Sequence, residues 1–303
     1  MTLVLTLGRT ALELGLICSL TTLALFLSYS MLNVCDLSTD GCFTLGATVG
    51  ACLVIAGHPY LSLPVAMLAG VASGFITALL QTRMGIDSLL AGIIVNTALY
   101  SINIAVMGGS SLLNMNKMTT VFTAAKSVFG EQYKLVVGFV AAALVILFLV
   151  LFLRTKLGLA IRATGNNLEM VKSSSINPAF TTTIGLCIAN SFTALSGCLL
   201  AQSQKSVNID IGSGMVTVAL ASLLIGNAFL GKRSILVRAI GAVVGTFIFR
   251  LGYAIALRMN MPAYMLKAVS AAVIIVAISA PYIKSKYPEF KRRLKARKEV
   301  SNA

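Results

Sequence analysis

Residues 226–234 read GNAFLGKRS, and the first seven letters fit the phosphate-cradling pattern G-x-x-x-x-G-K. The chemistry served by that pattern is nucleotide hydrolysis, in which backbone amides and the lysine hold phosphates while a following Ser or Thr hydroxyl binds magnesium. Here Arg233 follows Lys232, and Ser234 comes one place late. A guanidinium has no lone pair to give a cation. The flanks, MVTVALASLLI and SILVRAIGAVVGTFIFRLG, are apolar runs without a strand-turn-helix signature, so no nucleotide site is expected. Cys18, Cys35, Cys42, Cys52, Cys187 and Cys198 fall in or beside apolar segments with no C-x-x-C spacing and read as small hydrophobes. His58, the one histidine, sits in the turn-like GHPY, and neither H-E-x-x-H nor a Ser-His-acid set stands out. No catalytic residue, metal site or cofactor is predicted.

The elements that carry these residues are set by composition. The 303 residues are 57% hydrophobic and only 11% charged, with a mean hydropathy of +0.92. Long continuous apolar runs rather than short alternating ones predict an all-α, polytopic membrane helical bundle of about 8–10 transmembrane helices. Segments can be drawn at about 10–30, 42–57, 62–82, 86–107, 134–153, 179–202, 214–230, 236–257 and 263–282. The first reads as a retained span rather than a signal peptide. The net charge of +15 does not imply nucleic acid, because eight of the 24 Lys and Arg lie between Lys284 and Lys298. The chain thus divides into a membrane domain, 1–283, and a basic tail, 284–303, expected in the cytoplasm against anionic headgroups.

Counting back from a cytoplasmic tail puts the connections 154–178 and 231–238 inside and 203–213, 108–133 and His58 outside. Nine segments then leave a parity question at the N-terminus. The stretch MLNVCDLSTDGCFTLGA offers two answers: a broken or re-entrant helix near residues 33–41, or a polar loop with the N-terminus outside. The small-residue faces LAGVASG (68–74) and IGAVVGT (240–246) fit either packing within the bundle or a dimer seam.

The connection 154–178 is too polar to span and too varied to be slack. Thr164 or Asn166 is placed to cap a short helix, with Glu169 near its start, Lys172 near its end, and Pro178 opening the next span. Such a helix beneath the membrane is either a partner surface or a structured loop. Here the sequence resembles a known family. LGLAIRATGNNLEMVKSSSIN is similar to the G-x-x-x-R-A-x-G-x-N cytoplasmic loop of permease subunits of ATP-binding-cassette importers, the group with branched-chain amino acid, ribose and simple-sugar permeases. CDLSTDGCFTLGA and IGNAFLGKRSILVRAIGAVVGT resemble that family's early D-L-S and late G-x-x-x-x-G segments.

The resemblance implies that the loop forms a coupling helix docking on a separate ATPase subunit, through Gly158, Arg162, Ala163, Gly165, Asn166, Asn167, Met170, Ser173, Ser174 and Ile176. It also implies an extracytoplasmic solute-binding protein, a permease homodimer or homologous permease partner, and a multi-pass place in the cell membrane. Relatives commonly carry Gly where Ser175 stands; if that position is left-handed, serine strains the turn by about 1–2 kcal/mol.

Asn33, Asp36, Ser38, Asn96, Asn103, Asn190 and Ser191, with Thr193 and Gln202, are polar residues stranded in apolar sequence, and they either line a translocation path or join helices. An ion-gradient-driven transporter or channel is the rival reading. It calls for mid-membrane ionisable groups, and the chain has only nine acids. Few fixed charges along the path suit amino acids, aromatic ones included, or sugars and nucleosides.

Overall fold

A computed structural model describes residues 2–230 and 234–258, with a few isolated positions between 268 and 279. The chain forms helices α1 (Thr2–Leu25), α2 (Thr39–Ile55), α3 (Ser62–Thr82), α4 (Ser88–Val106), α5 (Val121–Phe129) and α6 (Tyr133–Phe152). Then come the short α7 (Lys156–Asn166) and α8 (Leu168–Ser173), followed by α9 (Pro178–Gln204), α10 (Met215–Leu230) and α11 (Ile235–Arg258). Strands β1 (Leu112–Asn114) and β2 (Ser206–Asn208) make one antiparallel ribbon, pairing Leu113 with Val207. Among the described residues, seven helical segments are long and apolar enough to cross a membrane, and α2 is shorter. The expected span 263–282 falls largely, and the tail 284–303 wholly, outside the described residues.

Composition sorts inner from outer helices. α9 carries Gly185, Ala189, Ser191, Ala194, Ser196 and Gly197, so neighbouring backbones come close, and it is the most enclosed span together with α1. α6, nearly all Leu, Val, Ala and Phe, turns Phe139, Leu144, Leu147 and Leu151 outward, which costs nothing against lipid tails. Both small-residue faces pack inside the bundle. Gly70 and Gly74 of α3 lie against the Asn190 and Leu186 carbonyls of α9, and Gly245 of α11 lies against the Ser222 carbonyl of α10.

Contacts along α1 order the ends of the molecule. Arg9 pairs with Glu13 and donates to the Glu131 carbonyl just before α6, and Leu16 and Ile17 meet Gly138. At the far end of α1, Met31 and Leu32 lie over Gly165 of α7. α1 and α6 therefore run side by side in one direction. The chain's start lies at the face opposite the 154–178 connection. α11 runs the other way, with Thr246 bonded to Thr22 at 2.8 Å and Arg238 to Ser30 at 2.5 Å.

The break near 33–41 is present. α1 ends in a π-helical turn, Phe26–Met31; Asn33 is left-handed at φ 58°, and regular helix resumes at Thr39. From there α2 follows α9 in parallel: Cys42 meets Asn190, Gly46 meets Ala194, and Gly50 meets Cys198, four residues apart on both helices. Leu32 meets Gly185 and Asp36 bonds Asn190, so residues 32–38 run beside the first half of α9, and the segment is a crossing with a non-helical first half rather than a re-entrant hairpin. With it, the described residues make eight crossings. The two answers to the parity question thus combine: the helix is broken, and the N-terminus lies opposite the connection.

Candidate functional site

The connection after α6 folds as two helices rather than a loop around one. Thr155 caps α7 by accepting from the Gly158 N–H at 3.2 Å. Gly158 sits against the Phe152 carbonyl and Gly165 against the Met31 carbonyl, where no side chain would fit. Ile161 is buried, and the Thr164 and Thr181 hydroxyls meet at 2.8 Å. These contacts press α7 onto the ends of the spans. Gly158 and Gly165 thus serve the seating of α7, and Arg162 and Ala163 are half-buried beside them.

Neither expected residue caps the second helix. Thr164 lies within α7 and Asn166 ends it; Asn167 caps α8, accepting from the Met170 N–H at 3.1 Å. Asn167 suits the task because its extended backbone separates the two helices. α8 is held from beneath by buried Val171, while Leu168 and Met170 stand 46% and 59% exposed. Asn166, Asn167, Ser173 and Ser174 are exposed around them, and Ile176 is half-buried. Ser175 is left-handed at φ 58°, the conformation that makes glycine the usual choice. Asn177 then caps α9 through the Ala179 N–H, with Pro178 in the first turn.

The stranded polar residues divide into two groups. Asn190 Nδ2 donates to Asp36 Oδ2 at 2.9 Å, Ser38 Oγ donates to Asp36 Oδ1 at 2.6 Å, and Thr77 Oγ1 donates to Ser38 Oγ at 3.2 Å. This buried set ties the break to α3 and α9. Gln202 likewise joins α9 to Ser62 of α3 and to the Val121 N–H of α5. Ser191 and Thr193 bond back to carbonyls of their own helix, and Asn33 is exposed near the connection.

Asn96 and Asn103 instead line a cavity of about 400 Å³. α2 contributes Asp40 and Thr44, and α4 contributes Asn96, Tyr100 and Asn103 at four- and three-residue steps, one helix face. Asp210 and Ser213 close it from the turn before α10. Asp40 also caps α10 from another helix, its two oxygens accepting from the Gly214 and Val216 N–H groups at 2.8 Å each. Asp40 lay within the quoted stretch MLNVCDLSTDGCFTLGA but was not singled out as a site residue, and Tyr100 and Asp210 were missed. The spacing of Asn96, Tyr100 and Asn103 was a readable signal; the approach of Asp210 was not, since it depends on a distant part of the chain.

Comparison with known proteins agrees with the fold. Residues 10–278 match the family described as branched-chain amino acid transport system / permease component. A tyrosine transport system permease protein of Clostridioides difficile (strain R20291) is 32% identical over 266 residues, 88% of each chain. A galactofuranose transporter permease protein, YtfT, of Escherichia coli (strain K12) is 23% identical over 69% of this chain and 61% of its own. The solved structure of PsaBC from Streptococcus pneumoniae in complex with Fab shares the fold, with a TM-score of 0.55 at 15% identity, covering 92% of this chain and 94% of that one.

The bundle and its helical connection define a multi-pass membrane transport subunit. The chain belongs to the branched-chain amino acid permease family and is a permease subunit of an ATP-binding-cassette importer. Such a family implies an ATPase subunit and a solute-binding protein as partners.

Proposed function

We propose that this permease moves an amino acid, with an aromatic one such as tyrosine the first candidate, and that α8 is where an ATPase subunit drives it. The observation that carries the coupling reading is the pairing of buried Val171 with exposed Leu168 and Met170 on one short helix. An apolar pair on a helix whose seat is already filled suits a groove in another protein. Arg162, Ala163, Asn166, Asn167, Ser173, Ser174 and Ile176 surround that pair or support it. The amino-acid reading rests on the tyrosine transport relative and on a cavity whose lining is polar.

In this reading two copies, or this chain and a homologue, enclose the path, and closure of the ATPases on ATP moves α7 and α8 together. A solute-binding protein outside and ATP inside each prefer one arrangement, since a ligand shifts an equilibrium only by its differential affinity. The basic tail, 284–303, is read as cytoplasmic from its charge alone. Asp36, Ser38 and Asn190 serve as structural joints near the path, Ser191 lies beside them on α9, and Asn96 and Asn103 face it.

The test is Met170→Asp in the reconstituted importer. A charge placed in an apolar groove should abolish solute-stimulated ATP hydrolysis and uptake while leaving the permease folded. Wild-type coupling in that variant would remove α8 as the contact.

A further inference from the structure

We propose that the cavity between α2, α4 and the turn before α10 binds the protonated amine of the transported solute. This deepens the translocation reading and rests on it. Two features of the cavity, independent of one another, point to a cationic donor.

The first is an orphaned acceptor. Asn103 is 1% exposed, and its Nδ2 donates to the Gly41 carbonyl at 3.2 Å. Because a carbonyl accepts only, the amide must present nitrogen to Gly41 and keep its oxygen on the other side. Asn103 Oδ1 has no hydrogen-bond partner among the described residues, although the residue lines the cavity. A buried acceptor left without a donor is costly, and a donor entering the cavity would satisfy it.

The second feature is charge. Among the described residues the lining holds two carboxylates, Asp40 and Asp210, and no Lys, Arg or His. Asp40 is held by backbone N–H groups at the start of α10, which keep its carboxylate in place. Asp210 is exposed and lies at the same cavity. Such a lining attracts a cation and repels a free carboxylate. An ammonium offers three donors and no acceptor, which matches an amide oxygen flanked by carboxylates. Tyr100 adds an aromatic ring, a surface that also favours cations.

The experiment uses full-length permease purified in detergent and three probes sharing a phenol ring: tyramine, L-tyrosine, and phloretic acid, which lacks the amine. Tyramine and L-tyrosine should raise the thermal unfolding temperature saturably, and phloretic acid should not. Asp210→Asn, at an exposed position that spares the fold, and Asn103→Leu should each weaken tyramine half-saturation by roughly tenfold. Equal protection by phloretic acid, no protection by either amine, or unchanged tyramine binding in Asp210→Asn would overturn the proposal. Uptake of labelled L-tyrosine by the complete importer separates the two readings. Amine protection without uptake leaves the subsite standing and removes the tyrosine assignment; uptake without amine dependence does the reverse.

Discussion

Asn190, halfway along α9, donates its side-chain amide to the buried carboxylate of Asp36 at 2.9 Å. That bond fastens the non-helical half of the second crossing to the most enclosed helix of the bundle. Irregular backbone at membrane depth survives only where protein satisfies its polar groups, and Asp36 also receives the Ser38 N–H at 2.8 Å.

Asn190→Leu should therefore destabilise the protein. It removes one donor from a buried carboxylate and should cost about 1–3 kcal/mol, read as a lower thermal unfolding temperature in detergent. Asn190→Asp should be worse at neutral pH, because it sets two carboxylates together.

Ser175 occupies a left-handed position. Ser175→Gly should stabilise the α8–α9 turn by about 1 kcal/mol, and Ser175→Val should destabilise it, since a β-branched side chain tolerates that region poorly. Hydrogen exchange of the Ile176 amide, which donates to the Val171 carbonyl at 3.3 Å, would report both changes.

Gly197 of α9 lies against the Phe43 carbonyl of α2, and Gly46 of α2 lies against the Ala194 carbonyl. At this crossing backbone meets backbone with no flexible side chain to yield. Gly197→Val should force the helices apart and sharply reduce folded protein recovered from membranes. Gly57→Ala should leave yield near wild type by comparison: its φ of 88° strains an alanine, but nothing lies within 4 Å.

The topology is open to labelling. Glu131 and Glu169 have side chains 94% and 80% exposed and lie at opposite faces. In a background without the six native cysteines, Glu131→Cys should react with an impermeant thiol reagent in intact cells, and Glu169→Cys only after lysis. Reaction of both in intact cells would contradict the ordering of α1 and α6.

Much of this was legible in the sequence, for a simple reason. Crossing lipid requires about 20 apolar residues, so each long span announces itself; apart from α1, which begins at Thr2 rather than near residue 10, the described ones lie within a few residues of their expected limits. The break at 33–41 was visible because Asn33, Asp36 and Asp40 interrupt such a run. The nucleotide-like letters of 226–234 were readable as false: Gly226 is inside α10, packed on the Gly241 carbonyl, and Lys232 and Arg233 lie outside the described residues. Helix α7 of the connection was not anticipated, because it is only mildly apolar and gains its stability from its seat on α1, α6 and α9.

Local chemistry along the chain determined the class of the protein, the helical kind of its spans, and the presence of a capped element between two of them. Tertiary structure alone decided the division of the stranded polar residues. Asp36 and Asn190 are 154 positions apart and bond; Asn103 and Asp210, equally polar in the sequence, come to a shared cavity. Whether a buried amide joins helices or faces an opening depends on which distant backbone lies opposite it, and hydropathy carries no record of that neighbour.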